Sequence, residues 1–327
     1  MSDNVNLGLM RICVEKPIRS EENALHSLKL NSNSDEHFHR LRAAFFTQKL
    51  WPKKSTITVS FYPHSSSRSI ASWTPIDVML ARREPNGDSA EIDPIEYKIR
   101  NLSLEDGVRK VIEERIVPIC GLNFVFVPEN GNVRIGFDSS NGSWSLIGTD
   151  CLKTDKKTMN FAWLDASTIM HEFGHVLGLI HEHQNPRGQT IEWNVPIVDS
   201  WAQQTQGWSK ETTYHNIIQK YNLNQINGSD FDPDSIMLYY FPAKLTLNNK
   251  GTTMNLRLSP TDVEYIQKIY PGGVSPSSFY SQIYGETTNK KTRYILYVII
   301  VVVIVLLIVG LWLISRKYKK YSRFGRK

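Results

Sequence analysis

The chain has 327 residues, 41% hydrophobic and 21% charged, which is enough for one large core or two small ones and unlike a disordered or collagen-like polymer. Its net charge of +6 is unevenly placed: ten of 38 basic residues and one acid, Glu286, lie beyond residue 273, leaving 28 basic against 31 acidic residues, a net −3, before it. A nucleic-acid partner is therefore not expected, because a nucleic-acid-binding domain carries its own basic face.

In chain order, residues 1–46 are polar, include "NSNSDEHFHR", and read as an N-terminal extension. No apolar stretch there resembles a signal peptide. "STITVSFY" at 55–62 is rich in β-branched and aromatic residues and predicts a strand. Val108, Val111, Ile112 and Ile116 recur at helical spacing and predict a helix over 105–117. "NFVFVP", "NVRIGF", "SWSLIG" and "TMNFAW" follow as short strands between Gly, Asn and Asp turn signals, giving a mixed sheet with few helices.

Next comes "DASTIMHEFGHVLGLI", a helix with Asp165 or Ser167 as N-cap, an apolar stripe through Ile169, Phe173, Val176 and Leu177, and Gly178 as its stop. Helices are also expected near "VPIVDSWAQQ" and "ETTYHNIIQKY". A last one, in "LSPTDVEYIQKIYP", has Ser259 as N-cap and Pro271 as stop. Residues 273–293 read as a linker. Residues 294–314, "YILYVIIVVVIVLLIVGLWLI", are an uncharged run which, as a helix, has the length of a bilayer core, so a transmembrane helix is expected. Residues 315–327 form a basic tail.

The chemistry concentrates in "STIMHEFGHVLGLIHEHQNP", residues 167–186. His171 and His175 are four apart, so on a helix both imidazoles project from one face and reach a single ion. A turn at Gly178 brings His181 back as a third ligand, a set that suits one Zn²⁺ with an open position for water. Glu172 follows the first histidine and is placed to take a proton from that water as general base. His183 falls outside the ligand set and reads as a surface residue or one that supports the ligands. Cys120 reads as a buried apolar residue.

The full HExxHxxGxxH string resembles the metzincin zinc endopeptidases, and "FDPDSIMLYYF" resembles their Met-turn, with Met237 beneath the site. Glu182 after the third histidine and Tyr239 two residues after Met237 point to the astacin-like branch; some features look matrixin-like. The resemblance implies an α+β metzincin-type catalytic domain over residues 47–272, with a twisted mixed sheet and active-site helix above a smaller subdomain holding the Met-turn. It also implies hydrolysis of a protein or peptide substrate, with Tyr239 stabilising the oxyanion. The rival reading is a catalytically idle membrane-tethered binding protein whose zinc is a structural clip.

Topology divides the physical rules. Seven basic residues after the span pull the tail to the cytosol and the domain outside. The missing signal and the three cysteines Cys13, Cys120 and Cys151 place the catalytic domain in the cytosol as a tail-anchored, single-pass membrane protein, and that is the expectation adopted, despite sequons at Asn101, Asn141 and Asn227.

Overall fold

The computed structural model describes residues 44–62, 70, 92–187, 191–224, 226–227 and 230–284. The chain divides into two units, Met1–Phe279 and Tyr280–Lys327, and the architecture that follows is that of the first, apart from residues 280–284 at the end of the last helix.

The first described residues fall inside the stretch read as extension. Ala44, Phe45 and Phe46 are buried, and Phe45–Phe46 (β1) pairs antiparallel with residues 226–227. These apolar side chains are part of the packed core, because exposing them would forfeit about 1.5–3 kcal/mol for each large one. Strand β2, Thr56–Phe61, buries Ile57 and Val59 as its β-branched alternation requires.

Two short helices follow, Ile95–Ile99 (α1), which no sequence signal had marked, and Leu104–Val111 (α2). Ser103 caps α2 by accepting from Asp106 N at 3.1 Å. The expected stripe of Val108, Val111, Ile112 and Ile116 is fully buried. Beyond Val111 the chain widens into a π-helical turn over Ile112–Ile116, which buries Arg115 against Asp93; the guanidinium Nε donates to both carboxylate oxygens at 3.0 and 2.9 Å.

Strands Asn123–Phe126 (β3), Val133–Gly136 (β4), Trp144–Ser145 (β5) and Met159–Asn160 (β6) complete a five-stranded sheet in the order β3-β2-β4-β6-β5. Only β5, at one edge, is antiparallel. The mixed sheet is as expected, but β5 and β6 are shorter than the sequence suggests. After Leu146 N bonds Thr158 O the chain leaves the ladder for a 3₁₀ segment, Gly148–Lys153, held by a Lys49–Asp150 ion pair of 2.6 Å.

Helix α3, Ala166–Val176, carries the histidine string. Then come Val195–Gln206 (α4) and Lys210–Thr213 (α5), the latter running into a π-helical turn over Tyr214–Ile218. Strand β7 is Ile226–Asn227. Helix α6, Pro260–Ile269, opens on a reciprocal capping box between Ser259 and Asp262. Within the predicted linker, Pro276–Tyr284 forms a final helix of 9 residues, α7, with Phe279 buried.

The membrane placement is corrected. Among the described residues no helix is long and apolar enough to cross a membrane. The longest, α4, has 12 residues, or about 18 Å, against the roughly 30 Å of a bilayer core. The predicted span at 294–314 lies outside the described residues, as do Cys13 and the basic tail. The expectation of a single-pass protein facing the cytosol is therefore withdrawn.

Candidate metal centre

Helix α3 is fixed at both ends by groups distant in sequence. At its start Asp165, not Ser167, is the N-cap and accepts from Thr168 N at 2.7 Å, while Glu96 of α1 accepts from Ala166 N at 2.6 Å. Ile169, Phe173, Val176 and Leu177 are all buried, so the apolar stripe is the packed face. At its end, Val176 O accepts from Trp51 Nε1 at 2.7 Å and Leu177 O from the Tyr270 hydroxyl at 2.8 Å. Both carbonyls would otherwise lack a helical partner.

Gly178 then turns the chain with φ of 99°. A Cβ there would meet Leu50 Cδ2 at 3.0 Å and Phe45 Cδ1 at 3.5 Å, so both the backbone angle and the close approach demand glycine. Phe46 N donates to Gly178 O and Ile180 N to Ala44 O, at 2.9 and 3.1 Å, which delivers the next residue, His181, back over the helix.

The ligand atoms of His171, His175 and His181 lie within 4.8 Å of one another, and all three residues are buried. His171 Nδ1 bonds Ile236 O and His175 Nδ1 bonds Leu179 O, each at 2.8 Å. A carbonyl only accepts, so both Nδ1 atoms carry the proton and both Nε2 atoms present lone pairs. His175 Nε2 faces His181 Nε2 at 3.0 Å, and His171 Nε2 is buried with no hydrogen-bond partner. Converging buried lone pairs repel one another unless a cation sits between them. The spacing is near the roughly 3.3 Å expected between nitrogens on a tetrahedral ion with Zn–N bonds of about 2.0–2.1 Å.

Burial pushes His171 down to about 4 and His175 to about 3, and holds His181 well below the ordinary range, so the set is neutral and available to a metal at physiological pH. The three predicted ligands are thus brought together.

The Met-turn lies under the helix as expected. Met237 Sδ would be 2.5 Å from a Cβ at Gly174, so a glycine in α3 is what lets the thioether approach. Asp262 Oδ2 accepts from Ile236 N at 2.9 Å and so helps to fix the residue whose carbonyl orients His171. Tyr239 is buried, with its ring 4.3 Å from that of His181 and its hydroxyl hydrogen-bonded to His181 Nε2. Glu172 is fully buried on α3.

His183 is not a surface residue. It is buried, stacked on His181 at 5.5 Å and bonded through Nε2 to Asn216 O at 3.0 Å. Burial also pushes its imidazole down to about 3. Glu182, buried beside it, is pushed up to about 8 by desolvation, although it accepts from Asn185 Nδ2 and Asp232 N at 3.0 and 3.1 Å. Cys120 is buried as expected, and burial pushes its thiol up to about 11. Sequence reasoning missed Glu96, Asp262 and Gln184 as supports of the site. Their partners are 70, 26 and 31 positions away, and no local pattern marks such distant pairs.

The model of the astacin peptidase family matches residues 93–270, more than half of the chain. The chain belongs to the astacin family. It is a zinc metalloendopeptidase with a metzincin-type catalytic domain, and His171, His175 and His181 are positioned to bind its single zinc ion. Among solved structures, one of myroilysin is 29% identical with a TM-score of 0.54, covering 71% of this chain and 100% of that one. A second myroilysin crystal structure is 26% identical with a TM-score of 0.43 and coverages of 68% and 86%. High choriolytic enzyme 1, a hatching-enzyme zinc protease from the medaka fish Oryzias latipes, is 14% identical with a TM-score of 0.37 and coverages of 71% and 98%. No curated protein matches the chain by sequence.

Proposed function

We propose that this astacin-family enzyme cleaves peptide bonds with Glu172 as general base and Tyr239 as the donor to the developing oxyanion. The observation that carries the reading is the placement of a fully buried carboxylate one residue after His171, on the helix that supplies two of the three converging imidazoles. When bound, the zinc ion supplies a Lewis acid that polarises a carbonyl and acidifies water.

Glu172 takes the proton from the attacking water and passes it to the leaving amine, a role that needs an acceptor held close and shielded from bulk solvent. Tyr239 is suited to the second role because its hydroxyl already reaches His181 Nε2. That nitrogen has one lone pair, so with His181 holding the ion the Tyr239 hydroxyl would be free to donate to the carbonyl oxygen as negative charge builds there.

The substrate chain would run along β5. This strand is the antiparallel edge of the sheet among the described residues, and an edge strand pairs readily with an extended peptide. A purely structural zinc clip would have no use for Glu172, so the idle-binder reading is not adopted.

The test is Glu172→Gln in the full-length protein. Zinc content should remain at one per chain while hydrolysis of a peptide library falls by about 10²–10⁴-fold. Activity within tenfold of the wild type would refute the role of Glu172.

A further inference from the structure

Two of the three metal ligands are oriented by backbone carbonyls, Ile236 O for His171 and Leu179 O for His175. The third is different: His181 Nδ1 faces a side chain, Gln184 Oε1, at 3.3 Å. Gln184 sits in the 3₁₀ turn Glu182–Gln184 directly after the ligand and is 2% exposed.

Its amide nitrogen donates to two main-chain carbonyls, His215 O at 2.7 Å and Gln219 O at 3.1 Å. His215 lies within the π-helical turn over Tyr214–Ile218, and Gln219 is its C-terminal cap, whose N donates to Tyr214 O at 2.8 Å. A neighbouring carbonyl of the same turn, Asn216 O, takes the His183 Nε2 contact at 3.0 Å, and Tyr221 N returns a bond to Gln184 O at 3.1 Å. The turn that follows the third ligand is therefore docked on a helix end.

The chemistry of these contacts has one self-consistent arrangement. Two carbonyls can only accept, so the NH₂ end of the Gln184 amide must face them and its oxygen must face His181. An amide oxygen also only accepts, so His181 Nδ1 must hold the proton and Nε2 must present its lone pair.

We propose that Gln184 is a positioning residue for the zinc centre: its amide oxygen, facing His181 Nδ1, holds that imidazole in the metal-binding tautomer and orientation. The inference rests on the zinc assignment of the three histidines and is independent of which residues carry out hydrolysis. It also makes the third ligand the one whose orientation depends on a side chain that a single substitution can change.

The experiment measures zinc affinity of the full-length protein by competition with a chromogenic chelator, so that peptide hydrolysis does not enter. Gln184→Met keeps length and shape but offers His181 only a weakly accepting thioether; its zinc affinity should fall about 10–100-fold. Gln184→Glu keeps an oxygen at His181 Nδ1 and should bind zinc within about threefold of the wild type or more tightly, even though it gives up both donor contacts to the π turn. The ligand-field spectrum of the cobalt-substituted protein should shift in the Met variant and not in the Glu variant.

Wild-type affinity in Gln184→Met would overturn the proposal. So would equal weakening in both variants, which would mean that the side chain serves only to hold the loop. Should the Met variant fail to fold, the tautomer is read directly in the zinc-free wild type from long-range ¹H–¹⁵N couplings of the imidazoles, where a His181 proton on Nε2 would equally overturn it. Absence of zinc from the wild type is a separate outcome and would overturn the ligand assignment itself.

Discussion

Replacing Gly178 by alanine tests how the third ligand is delivered. Its φ of 99° lies in the left-handed region, where a Cβ costs about 1–2 kcal/mol. The new methyl would also stand 3.0 Å from Leu50 Cδ2, closer than ordinary contact, in a packed region where overfilling costs about 1–3 kcal/mol. Together the two effects amount to roughly 2–5 kcal/mol, or a melting temperature lower by about 4–20 °C in a domain of this size. Gly207→Ala is the control: it sits at the end of α4 with φ of 69° and nothing within 4 Å of a Cβ, so it carries only the backbone cost of about 1 kcal/mol. Thermal unfolding with and without zinc, together with chelator competition, separates the two variants. Gly178→Ala should melt well below Gly207→Ala and lose at least tenfold in zinc affinity, because His181 follows from this turn; Gly207→Ala should bind zinc normally. Equal melting temperatures with unchanged zinc binding would refute the argument that the turn and its contacts with Phe45 and Leu50 seat the ligand.

Tyr239→Phe should lower kcat by about 10²-fold while KM stays within a few-fold, since only the hydroxyl and its donation to the oxyanion are removed; an effect confined to KM would contradict this. Burial, reinforced by Asp165, pushes Glu96 from its ordinary 4.5 up to about 7, so the folded protein favours its neutral form. The resulting stability is fully present below pH 4.5 and is lost as the pH rises through 7, because the fold there resists an ionisation that the unfolded chain makes freely. Glu96→Gln, which keeps an oxygen for Ala166 N without the charge, should match the wild type in denaturant midpoint near pH 4.5 and surpass it increasingly up to pH 7; a constant difference across that range would show that the carboxyl is not perturbed.

Much of the metal centre was legible because it is local. His171, Glu172 and His175 lie within five positions of one helix, and helical geometry alone puts the two imidazoles on one face. Gly178 could be read as a stop because glycine is the residue that turns left-handed, and its φ of 99° is the observed turn. The strands β2, β3 and β4 were visible for a similar reason, each being a short run of β-branched or aromatic residues between turn signals. By contrast α1 carries only 5 helical residues, too few to show a period, and β5 and β6 end early because the edge ladder gives way to the Gly148–Lys153 segment. His183 was read as lying at the surface or beside the ligands because polarity is all that a sequence shows of a lone imidazole. Its burial depends on Asn216, Trp193 and Phe241, which arrive from later parts of the chain.

The sequence by itself determined the metal-binding triad, since spacing within one short stretch of chain dictates which side chains can share an ion, and the resemblance of that stretch to the metzincins pointed to the class of reaction. What only the tertiary structure decided is how that set is held: Trp51 and Tyr270 closing the end of α3, Asp262 fixing Ile236 behind His171, and Gln184 joining His181 to the turn at 214–218. Each of these contacts satisfies a buried main-chain donor or acceptor with a side chain tens of residues or more away in sequence. Such pairings are required by the cost of burying an unpaired polar group, but which residue meets the requirement is settled only when the whole chain has packed.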